Sequence, residues 1–376
     1  MATHFSNSST SSRPLRILMA TPRCFPYMGG VENHVYQVSR RLAKLGAQVT
    51  VVSMDNGGQL PAHEQADGVM LRRLRFYPTN SDLYFSPELY RFIQSNSEQW
   101  DVLHVQNYLS LVAPVAMLAA ARAKIPYVVT FHGGGHSSGF RNAIRGVQQQ
   151  ANRPLLRRAK KLIATARFEI NAFGKTLGAP KEQFAYIPNG CDIGTPSAGL
   201  QTQPNFIVSV GRVEQYKGHQ RVVAAMPFVL RQIPTAKLRV LGDGPYKAEL
   251  QQQVQQLGLQ DAVEIRGVPA SQRQDMADTL ARASLVTMMS EYETQPMAAL
   301  EAIALGRQLL VANTSGLSEL AEDGYARAVP LNTNPEPLAE TMLDMLRNPQ
   351  LSKDIRLPTW DDCTESLLKL YHEVAF

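Results

Sequence analysis

Short unbroken apolar runs alternate along this chain with segments whose apolar residues recur every three to four positions. "LRILMATP" (15–22) is one such run and reads as a buried strand. It is followed by "GGVENHVYQVSRRLAKLG" (29–46), where Val31, Val35, Val38, Leu42 and Leu45 recur at helical spacing. Strands are then predicted at 47–55, 69–76, 101–107, 126–134, 161–166 and 184–190, with an apolar helix through "LVAPVAMLAAARA". The alternation pauses at "IGTPSAGLQTQPN" (193–205), which is rich in Gly, Pro, Ser and Gln and carries no period. It restarts with strands at 206–213, 237–244, 263–269, 285–290 and 308–315, helices lying between the first three of these. Strands alternating with helices predict parallel, doubly wound sheets. The expected organisation is a polar tail at 1–14, one α/β domain at 15–192, a linker at 193–205 and a second α/β domain at 206–358. A last amphipathic helix within 359–376 is expected to pack back on the first domain.

A length of 376 residues suits two such domains, each with its own core. No apolar run approaches the roughly 20 residues needed to cross a bilayer. The Ser/Thr-rich opening "MATHFSNSSTSSRP" lacks a basic start and an apolar centre, so a disordered tail is expected rather than a secretory signal. Cys24, Cys191 and Cys363 lie far apart without metal-type spacing, which fits a reduced cytoplasm and argues against a disulfide framework or zinc site. The net charge of +6 is unevenly spread: residues 1–192 hold 22 Lys and Arg against 11 Asp and Glu, the remainder 16 against 21. The densest basic stretch, 140–161, interleaves Arg141, Arg145, Arg153, Arg157, Arg158, Lys160 and Lys161 with Ile144, Val147, Leu155 and Leu156. Such a segment suits an anionic lipid surface, and its bland alternative is a solvated helix face. No aromatic residues interleave with the charges in the way single-stranded nucleic acid requires, so nucleic acid is not expected as a partner.

In doubly wound sheets ligands collect beyond the carboxyl ends of the strands, and the unusual residues of this chain follow its strands. Gly29 and Gly30 open a helix after the first strand, where backbone N–H groups face an anion. There is no GxGxxG, which disfavours a nicotinamide dehydrogenase. His132 follows "YVVTF" and suits a substrate hydroxyl or acid/base work, although one His beside glycines is commonly a polar loop residue. In "GRVEQYKGHQ", Arg212 and Lys217 flank a turn that leads into a helix. Two cations at a helix entrance neutralise a diphosphate without metal, one through a planar fork and one as a point charge. In "MMSEYETQPMAALEAIALG" (288–306), Pro296 suits the first turn of a helix that Gly306 stops. That puts Glu293 in the feeding loop and Glu301 about a turn and a half along the helix. Glu301 is a natural acceptor for ribose hydroxyls. Glu293 and the N–H groups of Thr294, Gln295, Pro296 and Met297 (less the proline's missing one) suit a sugar. Arg212 and Lys217 then stabilise charge on a departing nucleoside diphosphate.

From about residue 15 to 375, through "GGVENH", "FHGGG", "IPNGCD", "SVGRVEQYKG", "LGDGP" and "SEYETQPMAALEA", the chain resembles glycosyltransferase family 4. The resemblance implies a GT-B fold, with two Rossmann-like domains facing across a cleft, and retaining transfer from a nucleotide sugar. It implies Arg212 and Lys217 on the diphosphate, Glu301 on the ribose, Glu293 on the donor sugar, Gly30 near phosphate and acceptor, His132 near the reacting carbon, and backbone around Val268 at the base. Glu32, Asn33, Gln106 and Asn107 are expected on the acceptor side. No cofactor or metal is implied, and no Asp-x-Asp pair follows a strand to hold a divalent ion. The expected donor is a UDP- or GDP-linked sugar and the expected acceptor carries a hydroxyl; the location is cytoplasmic, with peripheral membrane contact through 140–161. The chain departs from the family pattern at Thr294 and Gln295, where many relatives have Gly and an aromatic, and at Gln106–Asn107, where many have a second His. The stretch "RNPQLSKDIRLPTWDD" is shorter than usual, which is expected to remove a helix between the last two. Two other readings keep the same fold: a nucleotide-sugar sensor or non-catalytic subunit, and a nucleotide-sugar epimerase. The epimerase would need gathered carboxylates and histidines, for which His132 is the visible candidate.

Overall fold

A computed structural model describes residues 13–376 except 28, 56–59, 80, 82, 134–138, 192–194, 269–271 and 352–354, without the side chains of 139–145 and 273. The predicted tail at 1–14 therefore lies almost wholly outside the described residues, as do part of the linker and of "HGGGHSSG".

The first sheet is built from β1 (Arg16–Ala20), β2 (Gln48–Met54), β3 (His63–Ala66), β4 (Val69–Leu74), β5 (Val102–Gln106), β6 (Tyr127–Thr130), β7 (Lys161–Ala164) and β8 (Phe184–Tyr186), in the order β3-β4-β2-β1-β5-β6-β7-β8. β1 pairs in parallel with β2 and β5, so Ile17 stands between Val49 and Val102. All three are buried, as is most of every central strand. Strands covered on both faces cannot alternate polar with apolar residues, which is why they read as continuous apolar runs. β3, "HEQA", corrects the all-parallel expectation: it pairs antiparallel with β4 at the sheet edge. Its polar, partly exposed sequence is what an edge strand carries. The helices following these strands are α1 (Gly30–Lys44), α2 (Pro87–Ser95), α3 (Val112–Ala123), α4 (Gly139–Leu156) and α5 (Arg167–Leu177). α2 is not among the elements the sequence predicts, and it opens with Pro87 at its first turn.

The second sheet has β9 (Phe206–Val210), β10 (Lys237–Leu241), β11 (Val263–Arg266), β12 (Leu285–Met288), β13 (Leu309–Ala312) and β14 (Arg327–Val329), ordered β11-β10-β9-β12-β13-β14. Its helices are α6 (His219–Gln232), α7 (Lys247–Gln256), α8 (Arg273–Arg282), α9 (Met297–Ala304), α10 (Ser315–Glu322), α11 (Pro335–Arg347) and α12 (Trp360–Ala375). Every recorded pairing in this sheet is parallel. Ala299, Leu300, Ala302 and Ile303 of α9 are buried against its core, and Gly306 follows at φ +68° as the left-handed stop. No helix occurs between α11 and α12 among the described residues.

The chain forms two compact units. One comprises Met1–Val129, Arg158–Lys160 and Leu367–Phe376; the other comprises Thr130–Arg157 and Lys161–Ser366. Within the first, Tyr371 of α12 places its hydroxyl 2.5 Å from Nδ1 of the fully buried His104. Burial holds His104 well below the ordinary histidine range, so its ring is neutral. No helix among the described residues is long and apolar enough to cross a membrane.

Candidate active site

In the second unit β9 ends at Val210, and the chain turns through Gly211, Arg212 and a short 3-10 turn at Gln215–Lys217 into α6. Gly218 sits at φ +76°, and a Cβ there would lie 1.9 Å from the carbonyl oxygen of Met289. Only glycine accepts that backbone angle and that approach, so the turn is pressed onto the segment following β12. A backbone bond from Glu291 N–H to the Tyr216 carbonyl, 2.8 Å, joins the same two segments.

This docking brings Lys217 and Glu293 together. Lys217 Nζ lies 2.6 Å from Glu293 Oε1, with the two side chains 15% and 11% exposed. Ser290 Oγ donates to the same carboxylate oxygen at 2.8 Å, and the Glu293 N–H donates to Ser315 Oγ at 2.8 Å. Glu293 is thus a buried, fixed carboxylate and not a solvated loop charge. Arg212 stands 71% exposed with Nη1 2.9 Å from Glu214 Oε1. Its loop is held from beneath by His219, whose Nε2 donates to the Arg212 carbonyl at 3.1 Å while Nδ1 faces Ser209 Oγ at 2.8 Å. Burial pushes His219 down to about 4, so the ring is a neutral strut at neutral pH. Only their nearness to strand ends marks His219, Ser209, Ser290 and Ser315 in the sequence.

Pro296 is the N-cap of α9 and not its first helical residue, a shift of one position. Glu301 lies partly exposed on α9, and Met297 is partly buried. The side chain of Gln295 bonds the backbone of Asn189 twice, accepting from its N–H at 2.6 Å and donating to its carbonyl at 2.9 Å. Thr294, Gln295 and Pro296 line a cavity of about 380 Å³ with Tyr186, Glu319 and Arg356. Val268 follows β11, partly buried against the core.

His132, following β6, adopts φ +44° and is partly exposed. Its neighbour Phe131 stacks on Phe173 at 4.0 Å. Gly133 fits between two polar atoms: a Cβ there would lie 3.1 Å from the Tyr292 hydroxyl and 3.2 Å from Glu169 Oε1. Tyr292 thereby ties the residue preceding Glu293 to the one following His132. Glu169, fully buried, uses Oε2 to accept from Thr165 N–H at 2.8 Å and Ala166 N–H at 3.2 Å at the start of α5. Burial outweighs these donors and pushes its carboxyl up to about 7. Neither Tyr292 nor Glu169 stood out in the sequence.

In the first unit Gly29 precedes α1 with an extended φ of −174°, which any residue adopts. Space is the constraint instead: a Cβ there would meet Glu32 Oε2 at 2.2 Å. Glu32 is buried and pairs with Arg23 at 3.1 Å; its carboxylate fills the space beside Gly29, whereas nothing lies within 4 Å of a Cβ built on Gly30. Asn33 is partly exposed on α1. Gln106 is fully buried with its amide 3.1 Å from the His104 ring, so it backs the strand end from inside. Asn107, at φ +70°, accepts from Leu109 N–H through Oδ1 at 2.9 Å.

Two family profiles match the chain: "Glycosyl transferase 4-like domain" over residues 29–190 and "Glycosyl transferases group 1" over residues 195–357. Among curated relatives, D-inositol 3-phosphate glycosyltransferase of Nocardiopsis dassonvillei is 25% identical, covering 91% of this chain and 89% of its own. Glycogen synthase of Mycobacterium tuberculosis is 26% identical over 82% and 81%. Among solved structures, Anabaena HepE in complex with UDP and glucose superposes with a TM-score of 0.71 at 19% identity, covering 96% of this chain and 95% of its own. Sucrose-phosphate synthase from Thermosynechococcus elongatus gives 0.70 at 19% identity, over 96% of each. With the two profiles together covering most of the chain and the fold shared with solved glycosyltransferases, the chain belongs to the glycosyltransferases of family 4 type and has the GT-B fold.

Proposed function

We propose that this glycosyltransferase moves a hexose-type sugar from a nucleoside-diphosphate donor to a hydroxyl of a glycan, lipid-linked or small-molecule acceptor, with retention and without metal. The observation that carries the reading is the 2.6 Å contact between Lys217 and Glu293, because it joins the cationic turn after β9 to the carboxylate loop before α9. In this scheme Arg212 and Lys217 neutralise the diphosphate as the bond from sugar C1 to its oxygen breaks. The acceptor oxygen bonds to C1 from the same face, and its proton passes to the departing phosphate oxygen. Glu293 holds donor-sugar hydroxyls beside Lys217, Glu301 takes the ribose hydroxyls, and the N–H groups after Thr294 face the sugar. Backbone around Val268 reads the base, and the His132 backbone and ring border the reacting carbon. Gly29 and Gly30 border the donor phosphates, Gly30 the acceptor as well, and Glu32, Asn33, Gln106 and Asn107 lie on the acceptor side.

UDP is the first donor nucleotide to try, because HepE, which shares the fold, was crystallised with UDP and with UDP-glucose. A cytoplasmic location belongs to the same reading, supported by the wide spacing of Cys24, Cys191 and Cys363. The test is release of nucleoside diphosphate from UDP-, GDP- and ADP-sugars with an acceptor panel, in the presence of chelator, for the wild type and Arg212→Ala. Release from one donor, indifferent to chelator and lost in the variant, supports the reading. Binding of the nucleotide without release from any donor–acceptor pair favours the sensor reading instead.

A further inference from the structure

The basic stretch 140–161 does not act as one face. Arg153 turns inward and donates from Nε to the Leu177 carbonyl at 2.7 Å, and Lys161 Nζ donates to the Glu182 carbonyl at 3.0 Å. The side chains of Arg141 and Arg145 lie outside the described residues. Arg158 and Lys160 remain exposed, and they belong to the first unit, where Lys124 joins them around an open cavity of about 470 Å³. Lys124 ends α3 in a left-handed conformation, φ +58°, immediately before Ile125 and Pro126, which with Val374 of α12 form the apolar part of the wall.

Several other arginines of this unit are neutralised by carboxylates: Arg13 and Arg16 by Asp101, Arg23 by Glu32, Arg73 by Glu64. Lys124, Arg158 and Lys160 have no carboxylate partner among the described residues, and none of the residues lining the cavity is acidic. Three uncompensated cations around one concavity concentrate positive potential there. The cavity is also remote from the strand ends discussed above. Lys124 to Pro126 precede β6, and β6 lies alongside β5, as the 3.0 Å bond from Leu103 N–H to the Pro126 carbonyl shows. Gln106 closes β5 at its other end and Asn107 follows it. The five residues of β5 separate the two ends by roughly 16 Å.

We propose that this cavity is a binding site for a phosphate-bearing ligand, distinct from the nucleotide-sugar site. Lys124, Arg158 and Lys160 hold the phosphate, Arg158 through its planar fork, and the wall of Ile125, Pro126 and Val374 takes an adjoining apolar group. Phosphate of this kind is carried by an anionic lipid head group or by a soluble phosphoester. The proposal does not depend on the transferase reading, since its readout is binding alone.

The test compares the wild type with a triple variant, Lys124→Gln, Arg158→Gln and Lys160→Gln. All three positions are exposed, so the variant keeps the wild-type melting temperature; Lys124→Gln alone, with a partial loss, guards against misfolding of the triple. Flotation is measured with phosphatidylcholine vesicles and with equimolar phosphatidylcholine and phosphatidylglycerol vesicles, and pyrophosphate is titrated calorimetrically. Selective flotation with the anionic vesicles, weakened about tenfold or more in the triple variant, assigns the site to a lipid head group. Pyrophosphate binding lost in the variant without any flotation assigns it to a soluble phosphate. Either signal should fall as salt rises. If no signal present in the wild type is weakened in the triple variant, or if neither signal occurs in the wild type, the proposal is overturned.

Discussion

Removing one partner of the Lys217–Glu293 pair strands a charge in a largely water-free pocket. Cutting a fully buried pair costs roughly 3–5 kcal/mol, most of it the penalty on the charge left behind. The residual exposure of 15% and 11% admits some water, so Glu293→Gln and Lys217→Met should each cost about 2–3 kcal/mol. In the double variant no charge is stranded, and its cost should fall short of the sum of the singles by about 2 kcal/mol. Urea unfolding reads this through the fluorescence of Trp360, which is 2% exposed and lies in the second unit, in a Trp100→Phe background. Each kcal/mol also moves the melting temperature of a unit this size by about 2–4 °C. If the single effects simply add, with a coupling below about 0.5 kcal/mol, the pair is not the tight contact described and the site geometry is wrong.

Gly218→Ala combines a left-handed backbone with a 1.9 Å clash on the Met289 carbonyl, so it should cost more than about 2 kcal/mol and disorder the cationic turn, visible as faster amide exchange at 212–218. His219 binds its proton in the unfolded chain from near its ordinary value but in the folded protein only near 4, so it destabilises the fold as pH falls from 6.5 toward 4. Glu169 behaves oppositely: folded, it keeps its proton up to about 7, so stability is lost as pH rises from 4.5 toward 7. The two slopes offset each other between 4.5 and 6.5. Glu169→Gln should therefore expose a stability that rises with pH there by about 1.4 kcal/mol per unit, and a flat urea midpoint in that variant would contradict it. Arg212→Ala should leave the melting temperature within about 2 °C, because the side chain is exposed, while lowering turnover at least tenfold; an unchanged rate would remove Arg212 from the mechanism.

The legible part of this fold was the part made by burial on both sides. Ile17, Val49, Val102, Ile207 and Leu238 lie in predominantly apolar strands, the pattern that a sheet covered on both faces leaves in a sequence. β3 was invisible because an edge strand such as "HEQA" needs no apolar face, and its place follows from pairing with β4 rather than from its own residues. α10 goes unpredicted because the strand expected at 308–315 runs into its first residue, and α11 because the strand before it, β14, is three residues long and leaves no pattern of its own. At the site, Arg212, Lys217, Glu293 and Glu301 were visible because each follows a strand end. What the sequence withheld was pairing at a distance. Lys217 meets Glu293 across 76 positions, and Gln295, read as a donor ligand, grips Asn189 across 106. His219 looked like any residue opening a helix, until its two ring nitrogens were seen on Ser209 and Arg212. Such contacts are set by how the loops after β9 and β12 dock, and no local period encodes them.

The central claim is that Arg212 and Lys217 hold the diphosphate of the donor. Calorimetric titration of UMP and UDP into the wild type and into Arg212→Ala tests it most directly, since the two nucleotides differ by the β-phosphate alone. The account predicts that UDP binds at least tenfold more tightly than UMP and that the variant loses most of that difference while its affinity for UMP is kept. Equal affinities for the two nucleotides in the wild type, or a preference for UDP that survives in Arg212→Ala at full size, would contradict it.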